Sequence, residues 1–356
     1  AHNNLGNTLK ELGQLDAAGK CYERAIAINP DFAEVHSNLG NMLQKLGQLD
    51  AAIKCYEQAL ALKPDIAEVH NNLGVTCYEL GQLDAAVKSY KQALAIKPDF
   101  TDAHNNLGVT LEQLKEFDLA VKSYEQALAI KPDFADAQNN LGNMLHELGQ
   151  LDAAVKCYDQ ALAIKPDYAE VHNNLGVALK ELGQLDTAVT SFEKALTINP
   201  SYVEAYSNLG VTFVELERLD AGVKNLEKAL AIIPENVMAI NNLATIHQKL
   251  GQLDSAIKSY ERVLEIKPDY VKAWDNLYFT AQPLIFSETS KGAWLNSFKN
   301  KLSQDCLNGT DFRVLDYRLK SFKPHTVEDS FKRALEALPA MDDGAIANPE
   351  SLEQLD

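Results

Sequence analysis

The sequence predicts an all-α protein, a solenoid of stacked helical hairpins. Three observations predict it. Proline recurs every 34 residues, at Pro30, Pro64, Pro98, Pro132, Pro166, Pro200, Pro234 and Pro268. A fixed period in this range is the signature of a repeat architecture. Between the prolines, apolar residues keep helical spacing in two separate stretches, and a glycine stands between the stretches.

One unit, Ala33 to Ile66, carries the pattern through. Its first helix is marked by Val35, Leu39, Met42, Leu43 and Leu46, which fall three or four residues apart or adjacent to such a pair. Gly47 follows at a natural C′ position, where a left-handed residue closes a helix. The second helix is expected to start near Asp50, whose charge suits a helix N-terminus. It is expected to turn Ile53, Tyr56, Leu60 and Leu62 inward and to stop before Pro64, because proline disfavours helix in the residue ahead of it. Asp65 then reads as the N-cap of the next first helix, with Glu68 three residues on in a capping-box-like pair, and Ser201 with Glu204 repeats the device. Gly40, Ala52 and Ala59 are small enough for helices to approach closely, with Tyr56 filling the space between. One hairpin cannot bury its own apolar face, so stability comes from stacking neighbours.

His36, Leu39, Gly40, Leu43, Ala52, Tyr56, Ala59 and Pro64, with their equivalents 34 residues away, resemble the tetratricopeptide repeat family. The resemblance covers residues 1–282 as eight units, the first truncated, and a partial ninth first helix. It implies a right-handed superhelical solenoid whose first helices line a concave face that holds extended peptides. The pentatricopeptide family, which reads RNA, looks similar but differs in period and carries a basic surface. Departures cluster late: Ala244 stands for the Gly, Gly222 and Val263 for Ala, and Leu226 for the Tyr, so the last units are expected to be more irregular. Tyr278 stands where a Gly belongs, and Pro283 is expected to end the ninth first helix. Residues 283–338 then read as a C-terminal helical cap, with Trp294, Leu295, Phe298 and Leu302 as its apolar stripe, and 339–356 as linker.

The formal net charge is -17, which repels phosphate backbones, so nucleic acid is not an expected partner and a neutral or basic polypeptide is. No run of about 18 apolar residues exists, so no membrane span is expected. The opening residues, AHNNLGNTLKEL, hold neither a basic nor an apolar leader stretch and read as the inside of a helix, as in a fragment. Cys21, Cys55, Cys77, Cys157 and Cys306 form no CxxC pair. Three of them share a repeat position with Ser89, Ser123, Ser191 and Ser259, which marks tolerance of a small side chain in a reducing, cytoplasmic setting.

The sixth position of the unit is the most informative. It is Asn4, Asn38, Asn72, Asn106, Asn140, Asn174, Asn208, Asn242 and Asn276. Asn within a helix is worse than Ala by roughly 0.5 kcal/mol or more, so nine placements need a reason. An amide both donates and accepts, and a row of amides can pair with a peptide backbone whatever its side chains. Such a ladder resembles the repeat arm of the O-linked N-acetylglucosamine transferases. The competing readings are that the amides brace neighbouring repeats, or are inherited from near-copied units. The fifth position adds Asn71, Asn105, Asn139 and Asn173, with Ser37 and Ser207. The ninth alternates between Asn41, Asn143 and Val75, Val109, Val177, Val211. The second is acidic at Glu34, Glu68, Asp102, Asp136, Glu170 and Glu204, which helix capping or recognition of a basic partner would each explain.

Other motifs point nowhere catalytic. His2, His36, His70, His104 and His172 lie a repeat apart, roughly 10 Å at ordinary helix packing, too far to share a metal. The Gly-Gln-Leu-Asp turns lack the Lys-Ser/Thr of a phosphate loop, and Asn308-Gly309-Thr310 reads as a turn. The expectation is a scaffold, not an enzyme, with no metal or cofactor, binding protein or peptide segments. Because the family often precedes glycosyltransferase or sulfotransferase domains, a second reading makes the array the substrate-recruiting arm of such an enzyme. A third is self-association through the groove or an open end.

Overall fold

The computed structural model describes residues 1–286. Among the described residues there are seventeen α-helices and no strand. Helix α1 (His2–Glu11) pairs with α2 (Leu15–Ile28), α3 (Ala33–Lys45) with α4 (Leu49–Leu62), and α5 (Ala67–Glu79) with α6 (Leu83–Ile96). The same pairing joins α7 (Thr101–Gln113) to α8 (Phe117–Ile130), α9 (Ala135–Glu147) to α10 (Leu151–Ile164), and α11 (Ala169–Glu181) to α12 (Leu185–Ile198). Helix α13 (Val203–Glu215) completes one compact unit, Ala1–Glu217. The second unit begins at Arg218 with α14 (Leu219–Ile232), then the hairpin of α15 (Val237–Lys249) and α16 (Leu253–Ile266), then α17 (Val271–Phe286). The units part near the first departures from the repeat pattern, yet α14, α15 and α16 keep the ordinary helix lengths.

Each hairpin from α1–α2 to α11–α12 closes on the same device. The ring of Tyr124 is fully buried, and a Cβ on Gly108 would fall 2.6 Å from its Cε1. Gly40 and Tyr56 interlock alike, at 2.7 Å, and Gly176 does so with Phe192 at 2.6 Å. The glycine is therefore a notch for the ring of its own hairpin. Ala52 and Ala59 are fully buried at the helix contacts where small residues are expected. Tyr90 and Tyr124, with Ala120, Leu107, Leu111 and Met144, build a core that runs from one repeat into the next.

The turn after each first helix is also uniform. Gly47 sits at φ 73, Gly47 N–H donates to Gln44 O, and Gln48 N–H donates to Leu43 O, both at 2.9 Å. This is a Schellman closure. Lys115 holds the same place at φ 61, and its turn makes the same bonds. A side chain in the left-handed region costs about 1–2 kcal/mol. Lys115→Gly is therefore expected to raise stability by about 0.5–1 kcal/mol, after the extra freedom glycine gives the unfolded chain. A urea titration checks this; a variant less stable than the parent would show that the turn carries no strain.

Three local expectations are corrected. The capping boxes do not form: the N-caps of α5 and α13 are Ile66 and Tyr202, neither with a side-chain cap bond. The helix mouth is given to a large ring or aliphatic group instead. At Phe100 that ring lies 4.8 Å under the Lys97 ammonium, and at Tyr168 4.1 Å under that of Lys165. Asn236 alone among the N-caps from α1 to α16 makes a side-chain cap bond, accepting from Ala239 N–H at 2.9 Å. Leu62 is 39% exposed, because residues two apart on a helix point about 200° apart and Leu60 takes the inward side. Helix α17 passes through Pro283 to Phe286. Pro283 lies in its last turn, where the missing N–H removes only one helical bond. The expected array end at 282 falls inside α17, and Trp294, Phe298 and the linker at 339–356 lie outside the described residues.

Candidate peptide-binding face

Within the first unit, each first helix touches the next first helix, from α1 to α13, while second helices have no comparable contact with one another. The first helices thus form the inner row. The second, fifth, sixth, ninth and thirteenth positions share one side of each.

The asparagines meet across this row. Asn106 Nδ2 donates to Asn71 Oδ1 of the preceding repeat at 3.2 Å, Asn140 to Asn105 at 3.1 Å, and Asn208 to Asn173 at 3.0 Å. Asn174 donates to both Asn139, at 3.2 Å, and Asn143, at 3.0 Å. Asn72 donates to the ninth-position Asn41 at 2.9 Å, since its fifth-position neighbour is Ser37. Asn38 donates to Asn3 at 3.0 Å. Asn4, Asn242 and Asn276 make no side-chain hydrogen bond among the described residues. One participant falls outside the sequence-level set: Asn3, which also donates to Glu34 Oε1 at 2.9 Å. It stands at the fifth position, so reading that column to its start would have found it; Asn241, at the same position, is buried with its Oδ1 unpartnered among the described residues.

The bonds run one way, from the sixth position back to the preceding repeat, and they leave capacity unspent. An amide offers two N–H donors and an oxygen with two lone pairs. The relay uses one donor of Asn106 and one of Asn140, and the Oδ1 of each accepts nothing among the described residues. Both side chains are half-buried, so solvent or a guest reaches them. Asn72 and Asn174 accept only long bonds from Asn71 and Asn173, at 3.5 and 3.4 Å. Val75 and Val109 are half-buried beside the row, packed on the core below. Tyr56 and Tyr158 anchor the relay from beneath, donating to Asn41 and Asn143 Oδ1 at 2.8 Å. Burial pushes both phenols well above their ordinary range, so they remain donors.

The histidine column does a different task. His36, His70, His104 and His172 place Nε2 at 2.8–2.9 Å from the carbonyl of the proline six residues earlier, where a carbonyl partner requires Nε2–H. Trp274 donates Nε1–H to Pro268 O at 2.8 Å. A ring N–H is what His and Trp share at this position, although Gln138 and Ile240 stand in the same column without a ring. Among the described residues, no three His, Cys, Asp or Glu are grouped to hold a metal ion.

Two turns along each first helix, a second row crosses between repeats. Gln44 Nε2 donates to Glu79 at 3.3 Å, Gln113 Nε2 to Tyr78 Oη at 2.6 Å, and His146 Nε2 lies 3.1 Å from Glu181 Oε2. Glu112 accepts from Tyr124 Oη at 2.9 Å. Burial pushes the Glu112 carboxyl up, the Tyr124 bond pulls it down, and Glu147 pushes it up again. A raised carboxyl favours the protonated folded state, so its contribution is present below the ordinary carboxylate range and lost as pH rises through the folded pKa. Glu112→Gln keeps an acceptor for Tyr124 without the charge. It is expected to raise the melting temperature at neutral pH and to lose that advantage below about pH 4. Equal melting of both proteins at neutral pH would show that Glu112 bears no strain.

Family models described as "TPR repeat" match residues 6–47, 111–149, 142–183 and 178–217, and as "Tetratricopeptide repeat" residues 31–99 and 201–269. Together these span well over half of the chain. No curated protein matches it. Among solved structures, the APC/C hetero-tetramer Cut9-Hcn1 is 18% identical, with a TM-score of 0.57 over 75% of this chain and 52% of that one. PilF of Pseudomonas aeruginosa is 21% identical, with a TM-score of 0.54 over 61% of this chain and 97% of that one. MamA is 27% identical over 48% of this chain and 92% of that one, with a TM-score of 0.44. The first two share the fold.

Proposed function

The chain belongs to the tetratricopeptide repeat family, and we propose that it is a non-catalytic scaffold holding extended polypeptide segments along its first helices. One observation carries the reading. The relay fixes the orientation of each central amide and leaves its oxygen, at Asn106 and Asn140, open on a half-buried face. An acceptor held still by its own N–H costs a guest little ordering entropy. The repeat spacing then presents acceptors and donors at intervals that a backbone can meet regardless of side chains. Asn4, Asn38, Asn72, Asn106, Asn140, Asn174, Asn208, Asn242 and Asn276 are the proposed contacts, with Asn71, Asn105, Asn139 and Asn173 beside them.

A cytoplasmic setting fits the free Cys21, Cys55, Cys77 and Cys157. Burial raises the thiols of Cys55, Cys77 and Cys157, which makes them poor nucleophiles. No helix among the described residues is long and apolar enough to cross a membrane.

The test is selection from a displayed random-peptide library against the chain and against the triple variant Asn106→Ala, Asn140→Ala, Asn174→Ala. The expected result is a set of peptides that bind the parent and bind the variant weakly. Selected peptides that bind both equally, or none above background, would remove the reading.

A further inference from the structure

The amide row does not lie on a neutral surface. At the second position, one turn before the ladder, stand Glu68, Asp102, Asp136 and Glu170, all exposed. At α3 the same position lies beside the row: Asn3 Nδ2 donates to Glu34 Oε1, which ties a second-position carboxylate to the fifth-position amide of the preceding repeat. Two turns after the ladder lie Glu79, Glu147, Glu181 and Glu215, with Glu112 one residue earlier on its own helix and beside Glu147, in the row that crosses between repeats. With a rise of 1.5 Å per residue, the two rims run about 6 Å and about 10 Å from the asparagines. A lysine or arginine side chain on a backbone lying over the ladder spans either distance.

Helix geometry alone does not account for these charges. No capping box forms at α5 or α13, which leaves the second-position acids only the weak attraction of the helix dipole. Few have a cation of their own. Glu68 meets Lys97 at 3.7 Å, and Glu215 meets Lys180 at 4.0 Å. Asp102, Glu112, Glu147 and Glu170 have no ion pair among the described residues, and Asp136 has only the Tyr168 hydroxyl at 3.1 Å. At α7 and α9, Glu112 and Glu147 repel each other across adjacent repeats, in a place where Gln113 and Tyr78 make a neutral pair one repeat earlier. Burial is the larger cause of the raised Glu112 carboxyl, the Tyr124 hydroxyl offsets part of it, and Glu147 adds the rest. A cation supplied by a guest would relieve the repulsion.

We propose that the inner face from α5 to α11 selects a basic extended polypeptide, with the backbone on the asparagine row and lysine or arginine side chains reaching the two carboxylate rims. This rests on the scaffold reading and adds the chemistry of the partner. The valines at 75 and 109 take the apolar stems of those side chains or small residues between them.

Binding of three synthetic peptides of equal length to the full chain tests it: alternating lysine–threonine, glutamine–threonine and glutamate–threonine. The lysine peptide is expected to bind best, with an affinity that falls as salt rises, and the glutamate peptide worst. The double substitution Glu112→Gln, Glu147→Gln is expected to weaken the lysine peptide roughly two- to thirty-fold and leave the glutamine peptide unchanged. A control pair on the second helices, Glu57→Gln with Glu125→Gln, removes the same charge from exposed sites and is expected to change neither. If the glutamine peptide binds as tightly as the lysine peptide, or the control pair weakens the lysine peptide as much, basic selection is wrong and the scaffold stands. If none of the three binds, both readings fall.

Discussion

Replacing Tyr124 with Ala is expected to cost about 3–5 kcal/mol, the range for deleting a large buried ring. The ring is fully buried and its edge occupies the notch that Gly108 leaves open, so Gly108 offers no side chain to fill the cavity. Tyr124→Phe separates packing from polarity. It keeps the ring and removes only the hydroxyl that donates to Glu112 at 2.9 Å, with an expected cost of about 1 kcal/mol. Phe192 already sits over Gly176 in the same way, which shows that the ring alone serves the notch. The position of the lesion matters too. In a repeat array each unit is stabilised chiefly by its neighbours, so weakening α7 and α8 separates α1–α6 from α9–α13. Thermal unfolding of Tyr124→Ala should therefore broaden or split as well as shift. An unaltered melting curve would show that the ring is not what joins the repeats.

The fold was legible because repetition turns weak local signals into strong ones. A single Pro64 or Gly47 would mark only a turn, but eight such prolines and six such glycines fix both helices of the unit. What stayed hidden depends on the stagger between repeats. Asn106 meets Asn71, and Glu112 comes beside Glu147, 35 residues apart in the chain rather than 34. That offset of one residue is set by how hairpins stack, and no local pattern states it. The ladder column could be read as a column, and bracing between repeats could be named as one reading of it, but not which amides would pair. The capping error has a local cause: Asp65 has the chemistry of a cap, yet Ile66 takes the cap position because an apolar group is needed there between repeats. The histidines looked like ring packing alone until Trp274 made the same N–H bond to a proline carbonyl.

The largest effect on binding is expected from Asn106→Ala, Asn140→Ala and Asn174→Ala together. If each amide makes one net hydrogen bond to a guest backbone, worth about 0.5–1.5 kcal/mol, affinity should fall roughly ten- to a thousand-fold. Stability should fall as well, because the same amides brace the array. The variant loses the bonds to Asn71, Asn105, Asn139 and Asn143, and it strands the oxygens of Asn71 and Asn139, whose side chains are buried. Alanine returns roughly 0.5 kcal/mol per site through helix propensity, so the net loss is about 1–4 kcal/mol. The two roles separate when both quantities are measured on the same variant, at a temperature where circular dichroism shows it fully folded. A clamp predicts weakened binding by the folded protein, beyond what its unfolded fraction explains. A brace alone predicts earlier melting with the affinity of the folded protein unchanged. That second outcome would leave the ladder as the device that sets the stagger of the repeats, and would remove the amide row from the binding face.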